Sequence, residues 1–221
     1  MSKYVNVHTH LEQNENVISI MHVNAGDFSA ESAHGFYSVG FHPWYIHESI
    51  WKDKMEKLKV EVKHPTVLAI GESGLDKVCE TPFSLQLEVF VVMIELSEST
   101  KKPLIIHCVR AFQEIIELHK KFQPVQHWII HGFNRNQNIA SALLHQGIFL
   151  SFGADVMNSD SPVLEVLKNI SSHEFFLESD TKDISMDELY LTVASIREEK
   201  VEAMKESLFN NFKNVFKYAG S

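Results

Sequence analysis

Eight short segments rich in apolar, β-branched and aromatic residues recur along the chain, each followed by a polar or helical stretch. This alternation predicts parallel strands joined by crossover helices. Eight such strands favour a closed sheet, so we predict an α/β fold, a TIM-like (β/α)8 barrel. The predicted strands are Tyr4–His8, Val17–His22, Phe36–Phe41, Thr66–Gly71, Pro103–His107, His127–His131, Gly147–Phe152 and Glu174–Ser179.

Seven stretches with helical spacing of apolar residues lie between or after these strands. The predicted helices are 48–63, 84–101, 109–122, 135–146, 162–170, 186–197 and 201–218. Only Leu11–Asn16 separates the first two strands, whereas a parallel crossover with its helix needs about 10–12 residues or more. We therefore predict that the first crossover helix is missing. A length of 221 residues suits a single barrel domain over residues 1–221.

The composition limits the classes of protein to which the chain can belong. With 44% hydrophobic and 22% charged residues it is an ordinary globular chain. No apolar run approaches the roughly 18 residues of a membrane span, no signal segment is evident, and two cysteines do not make a disulfide scaffold. We therefore expect a cytoplasmic protein with no membrane association, and no obligate protein partner is evident.

The charge argues against passive electrostatic binding of nucleic acid. Acidic residues outnumber basic ones by 29 to 20, which gives a net charge of −9. Phosphate binding would need a local reversal of sign. Bound divalent cations could supply it, because they are often the largest charges in a site.

Imidazoles and carboxylates stand where several predicted strands end. In His8-Thr9-His10 the two imidazoles project to one face of an extended chain. Since residues at the carboxyl ends of barrel strands converge on the active site, we expect the whole set to form a metal site. The other members are Glu72, His107, His131 and Asp180.

Six such ligands are too many for one catalytic zinc, which uses about three protein ligands. They suit two divalent metal ions that share a bridging carboxylate. Two ions about 3.5–4 Å apart can lower the pKa of a bound water and stabilise the attacking and leaving oxygens of a phosphate ester. The mixed donors are compatible with zinc, manganese or iron, and less so with magnesium.

The motifs of the chain resemble, in order, those of the TatD family of metal-dependent deoxyribonucleases. They are His8-Thr9-His10-Leu11, Gly40-Phe41-His42-Pro43, Gly71-Glu72-Ser73-Gly74-Leu75-Asp76, Gln86 and Phe90 before Pro103–His107, His131-Gly132-Phe133, Gly147–Phe152 and Glu178-Ser179-Asp180. The resemblance implies a barrel in which His8, His10 and Asp180 hold one metal and His107 and His131 hold the other. It further implies that Glu72 bridges the two ions and that the activity is hydrolysis of DNA phosphodiesters, commonly from a 3′ end.

Two further residues are candidates for substrate binding. His42 resembles a family position near the scissile phosphate, and Pro43 biases it toward extended geometry. The guanidinium of Arg110 could steady a phosphate through its fork of donors. The chain departs from the family pattern at Asn6, where the family usually has Asp, and in the shortened segment after Asp180. Trp44, Tyr45 and Phe133 could offer stacking surface for an unpaired base.

These residues predict a metal-dependent phosphoesterase, a TatD-like deoxyribonuclease with Glu72 and Asp180 as catalytic residues. The expected substrate is a DNA end or a small phosphoester. Two alternatives stay open: a small-molecule phosphoesterase or amidohydrolase-type lactonase on the same barrel, and a metal-binding protein that has lost turnover.

Overall fold

The computed structural model describes residues 3–11 and 16–219. Within these residues the chain forms eight β-strands and seven α-helices. The strands are β1 (Tyr4–Thr9), β2 (Val17–Asn24), β3 (Phe36–Gly40), β4 (Val67–Asp76), β5 (Leu104–Val109), β6 (Trp128–Ile130), β7 (Phe149–Phe152) and β8 (Phe175–Leu177). The helices are α1 (Trp51–Glu61), α2 (Phe83–Thr100), α3 (Phe112–Phe122), α4 (Gln137–Leu144), α5 (Val163–Asn169), α6 (Met186–Ile196) and α7 (Val201–Val215).

All eight strands belong to one sheet, in the order β1 to β8. The pairs β1–β2, β3–β4, β4–β5 and β7–β8 are parallel. A parallel bridge joins Thr9 of β1 to Asp180, three residues after β8. This order confirms the predicted α/β fold, a TIM-like (β/α)8 barrel. Over residues 3–11 and 16–219, no helix has both the length and the apolar character that crossing a membrane requires.

The chain divides into two compact units. One comprises the residues up to Met21 and from Ile130 onward, and the other comprises His22–Ile129. The single domain over residues 1–221 stays a prediction. Residues 12–15, on which the predicted loss of the first crossover helix depends, lie outside the described residues.

In the first unit, strand β1 is buried almost throughout, as is typical of a parallel strand covered on both faces. Helices α6 and α7 both contact β1, and α7 buries the apolar side chains of Leu208 and Phe212. The hydroxyl of Tyr190, on α6, accepts a hydrogen bond from Val5 N at 3.2 Å and donates one to Val5 O at 3.1 Å. These contacts fix the strand that carries His8.

In the second unit, strand β4 is longer than the sequence predicts. We expected it to end at Gly71, but it pairs with β5 as far as Asp76, opposite Val109. A Cβ on Gly71 would lie 2.4 Å from Ile105 O, and one on Gly74 would lie 2.0 Å from His107 O. These glycines therefore mark a close approach of two backbones, and the extended strand carries both Glu72 and Asp76.

Candidate functional site

Four of the predicted ligands lie in the first unit, and we call His8, His10, His131 and Asp180 the first cluster. One ligand atom each of His8, His131 and Asp180 lies within 4.8 Å of the other two. Asp180 Oδ1 is 3.7 Å from His8 Nε2 and 3.6 Å from His10 Nε2. These distances exceed those of hydrogen bonds. The nitrogen and oxygen atoms therefore face one another across a gap of the kind that a cation can fill.

Backbone hydrogen bonds hold the first cluster in register. Asp180 N donates to His8 O at 3.0 Å, and His10 N donates to Asp180 O at 2.9 Å. Asp180 adopts a left-handed φ of +50°, which turns the chain at this point. The buried Asn6 amide donates to Ser179 Oγ at 2.8 Å and accepts from Ser179 N at 3.1 Å. Asn6 therefore positions the residue before Asp180.

Glu178 also belongs to the site. It stands in the motif Glu178-Ser179-Asp180, but the sequence predicted no role for it. Its buried Oε1 accepts a hydrogen bond from Gly132 N at 2.7 Å and lies 3.3 Å from His131 Nδ1. Burial raises the pKa of this carboxyl, but His131 and the nearby His8 outweigh it and hold the pKa below its usual range. An ionised Glu178 orients the His131 ring, as carboxylates behind metal-bound histidines commonly do.

The second unit contains Glu72 and His107 together with His42 and Asp76, and we call these four the second cluster. Glu72 Oε1 lies 2.8 Å from His107 Nδ1 and 3.1 Å from His42 Nε2. The Glu72 carboxylate is only 2% exposed. Glu72, His42 and His107 each offer a ligand atom within 4.8 Å of the other two.

Asp76 belongs to the second cluster although the sequence reasoning gave it no role. Its Oδ2 lies 3.3 Å from His107 Nε2 and accepts a hydrogen bond from Trp44 Nε1 at 2.6 Å. Burial raises the pKa of Asp76, but the hydrogen bonds from Trp44, Val78 N and His107 hold it below its usual range. The available signal is strand periodicity, because Asp76 lies four residues after Glu72 and projects to the same face of β4.

The hydrogen bonds of His42 identify its tautomer. His42 Nδ1 accepts from Trp44 N at 3.1 Å, so the proton of a neutral ring is on Nε2, which faces Glu72 Oε1. A nitrogen that carries a proton donates a hydrogen bond and does not bind a metal. The Nε2–H of His42 therefore donates to Glu72 Oε1, and the role of His42 in substrate binding stays a prediction.

Two more residues frame the second cluster. The Nδ1 of His22, which the sequence reasoning did not single out, accepts a hydrogen bond from Glu72 N at 2.7 Å and so fixes the backbone of Glu72. Arg110 follows β5 directly, with a left-handed φ of +55° and an exposed side chain. Its guanidinium has no ion-pair partner within residues 3–11 and 16–219.

The donor chemistry of both clusters fits divalent metal ions. Imidazole with carboxylate is the donor set that zinc, manganese and iron share. The clustered His, Glu and Asp side chains are therefore candidate metal ligands in each unit. Their assignment to two ions, with His131 beside His107 and Glu72 as the bridge, stays a prediction.

Known proteins that are similar to this chain include metal-dependent hydrolases, which is consistent with these candidate metal ligands. The family described as TatD related DNase matches residues 2–217. The chain belongs to the TatD family. An uncharacterized metal-dependent hydrolase of Buchnera aphidicola subsp. Baizongia pistaciae is 32% identical over 151 residues, which are 67% of this chain and 56% of that protein. The human 3'-5' RNA nuclease TATDN2 is 33% identical over 152 residues, 65% of this chain and 19% of that protein.

This TatD-family chain thus spans little more than half of the first of these relatives and about a fifth of the second. Solved structures match it over nearly its whole length. YjjV, a TatD homologue from Escherichia coli, has a TM-score of 0.84 and 18% identity and covers 97% of this chain and 98% of its own. The E. coli phosphotriesterase homology protein has a TM-score of 0.72 and 14% identity over 97% and 99% of the two chains. These likenesses confirm the fold.

Proposed function

We propose that this TatD-family protein is a metal-dependent phosphodiesterase that hydrolyses the ends of nucleic acid strands, with DNA as the predicted substrate. The observation that carries the proposal is that imidazole and carboxylate groups able to hold a metal ion gather in each unit. Two curated relatives are described as a metal-dependent hydrolase and a nuclease, which supports the same class of reaction.

The two clusters supply the ligands. His8, His10 and Asp180 would hold one divalent ion and His107 would be a ligand of another, with His131 and Glu72 as further candidate ligands. Bound ions of this kind activate water at neutral pH and stabilise charge on phosphate oxygens. Glu178 and Asp76 keep the rings of His131 and His107 oriented through the hydrogen bonds described above.

The remaining steps belong to side chains of the chain itself. Asp180, with its carboxylate 37% exposed, orients the attacking water and accepts its proton at the carboxylate oxygen that does not face the His8 and His10 nitrogens. The water oxygen then forms a bond to phosphorus as the bond to the leaving oxygen breaks. The guanidinium of Arg110 donates hydrogen bonds to the non-bridging oxygens, and His42 orients Glu72 through its Nε2–H. Because the chain has a net charge of −9, it should repel long duplexes, and we expect short strand ends to bind better.

RNA is a second candidate substrate, because the human relative is described as a 3'-5' RNA nuclease. A matched pair of DNA and RNA oligonucleotides of one sequence, labelled at either end, would separate the two substrates and give the direction of cleavage. Cleavage of a nucleotide ester or a lactone in place of both would support the small-molecule alternatives.

The main test combines elemental analysis with oligonucleotide cleavage in the wild type and a His8→Ala/His10→Ala variant. We expect the variant to lose roughly half of its metal, because only the first cluster is altered, and nearly all of its activity. The matched control is His145→Ala/His173→Ala, which replaces two exposed histidines of the same unit outside the cluster.

The control variant should keep both metal and activity. Unchanged activity in His8→Ala/His10→Ala would overturn the proposed function. Wild-type protein that binds metal but hydrolyses no ester would instead support the alternative of a metal-binding protein without turnover.

A further inference from the structure

A cavity of about 420 Å³ opens beside the second cluster, within the second unit. It is lined by Trp44, Asp76, Val78, Cys79 and Glu80. Its size falls within the range of about 300–1,000 Å³ that small ligands occupy. None of the predicted metal ligands lines it, so the proposed reaction leaves its purpose unassigned.

Trp44 is the feature of this cavity that indicates a ligand. The other two tryptophans, Trp51 and Trp128, are 6% and 1% exposed, whereas Trp44 is 56% exposed. Exposing an indole leaves a large apolar surface in water, and an exposed aromatic side chain beside a functional site commonly contacts a ligand.

The indole of Trp44 is also held in place. Its Nε1 donates to Asp76 Oδ2 at 2.6 Å, and its residue lies in the 3-10 turn Pro43–Tyr45. The ring planes of His42 and His107 are inclined to it by 83° and 74°, so neither imidazole stacks flat on the indole. A ring fixed in this way loses little entropy when a flat ligand stacks on it.

The polar wall of the cavity selects the chemistry of the ligand. Asp76 and Glu80 contribute carboxylates, which only accept hydrogen bonds when ionised. Two negative charges repel a phosphate and favour a neutral group that carries N–H donors. Cytosine, adenine and guanine each carry an amino group with two N–H donors, whereas thymine has only a single N3–H between two carbonyl oxygens and so meets this requirement less well.

We propose that this cavity binds the terminal unpaired nucleobase of a nucleic acid strand, with Trp44 as the stacking surface and Glu80 favouring a base that carries an amino group. The proposal rests on the proposed function, because the centroid of the Trp44 ring lies 5.1 Å from that of His42 and 6.1 Å from that of His107. A base on Trp44 thereby places its own phosphate next to the second cluster.

Binding to the metal-loaded protein, with strands whose terminal linkage is a non-hydrolysable phosphonate, tests the cavity without any cleavage. Dye-labelled hexanucleotides that end at the 3′ side in dC, in dT or in an abasic nucleotide would be compared by fluorescence anisotropy. Stacking on an aromatic side chain corresponds to roughly a 5- to 100-fold change in Kd. We expect the dC strand to bind more tightly than the abasic strand by such a factor, and the dT strand to lie between them.

Variants assign the effect to the cavity. Trp44→Leu should abolish the preference for a base over the abasic end, and Trp44→Phe, which keeps a ring but loses the bond to Asp76, should keep part of it. Glu80→Gln should bring dC and dT strands closer in affinity. Val125→Ala replaces an apolar residue that is 81% exposed in the same unit and should change nothing. Thermal unfolding of each variant verifies that it is folded.

Equal binding of the dC and abasic strands by the wild type, or no binding of any strand, would overturn the base cavity. So would an unchanged preference in Trp44→Leu. Cleavage of unmodified strands by the metal-loaded wild type would leave the proposed function intact in each of these cases. If the phosphonate strands are discriminated but no unmodified strand is cleaved, the proposed function fails and the base cavity stands.

Discussion

The two clusters use the same kinds of side chain but hold them in opposite ways. In the first cluster, Asp180 is 37% exposed and stands 3.6–3.7 Å from the His8 and His10 nitrogens. In the second cluster, Glu72 is 2% exposed and lies 2.8 Å from a His107 nitrogen. The carboxylate of Asp180 is open to solvent and lies beyond hydrogen-bond distance of these two nitrogens, whereas the carboxylate of Glu72 is buried and within hydrogen-bond distance of His107.

The difference follows from the backbone that carries each cluster. The first cluster lies at or beyond strand ends, where backbone bonds between Asp180 and the His8–His10 segment fix the register. Both carboxylates of the second cluster, Glu72 and Asp76, lie within one long strand, β4, which pairs with β5. Ligands on strands are positioned more rigidly than ligands on loops. The comparison therefore predicts that the second cluster depends on strand packing and the first on a few polar contacts.

The largest effect should come from Gly74→Ala in β4. The added methyl would stand 2.0 Å from His107 O, and a clash with backbone cannot be relieved by a side-chain rotation. We expect the free energy of unfolding in urea to fall by about 3 kcal/mol or more. Gly147→Ala is the control, because that glycine has a φ of +76° but no atom within 4 Å of the new Cβ; it should cost about 1 kcal/mol. Equal losses in the two variants would contradict the close approach.

Asn6→Ala tests the polar contacts of the first cluster. It leaves the buried N–H of Ser179 without its acceptor, which should lower the free energy of unfolding by about 2 kcal/mol. Asp180 follows Ser179, so metal content should fall as well. Ser38→Ala is a matched control, since its buried hydroxyl has no hydrogen-bond partner in the described part of the chain. A stable Asn6→Ala protein with full metal content would show that other contacts position Asp180.

Glu178→Gln keeps an acceptor for Gly132 N but removes the charge behind His131. We expect about a tenfold loss of metal affinity, measured by competition with a chelator. The pKa of Glu178 is lowered in the folded protein from a reference value of 4.5. Its stabilising contribution is therefore present above about pH 4.5 and is lost as the pH falls through the folded pKa. Between pH 6 and 3, metal-free wild type should lose more unfolding free energy than the variant does.

The sequence predicts the eight strands and their barrel fold well, because both depend on local patterns. It places the end of β4 at Gly71, since glycine usually interrupts a strand. The reason for the error is that Gly71 and Gly74 contact the backbone of β5, a partner about 34 residues further along the chain. An interaction of that sequence separation leaves no signal in the composition of β4 itself.

Contacts between residues far apart in the sequence also explain why the sequence predicted no role for some residues of the site. His22 belongs to the site because its Nδ1 accepts from Glu72 N, fifty residues away. Glu178 and Asp76 stand in quoted motifs, but their function depends on which imidazole they face. Strand periodicity would have identified Asp76, once β4 was known to extend past Gly71. For His22 the sequence offers no comparable pattern.

The smallest effect concerns Arg110, which lies at the end of β5 but is exposed, unlike the second cluster beside it in the chain. If its guanidinium contacts a substrate phosphate, Arg110→Ala should raise KM for an oligonucleotide about fivefold, or about 1 kcal/mol, and leave kcat nearly unchanged. Arg110→Lys should recover part of the loss, since the charge remains but the planar fork does not. Because an exposed ion pair is screened, the ratio of the two KM values should shrink as salt rises. A fall in kcat with an unchanged KM would instead show that Arg110 contacts the phosphate only in the transition state. The exposed end of β5 would then take part in catalysis and not only in substrate binding.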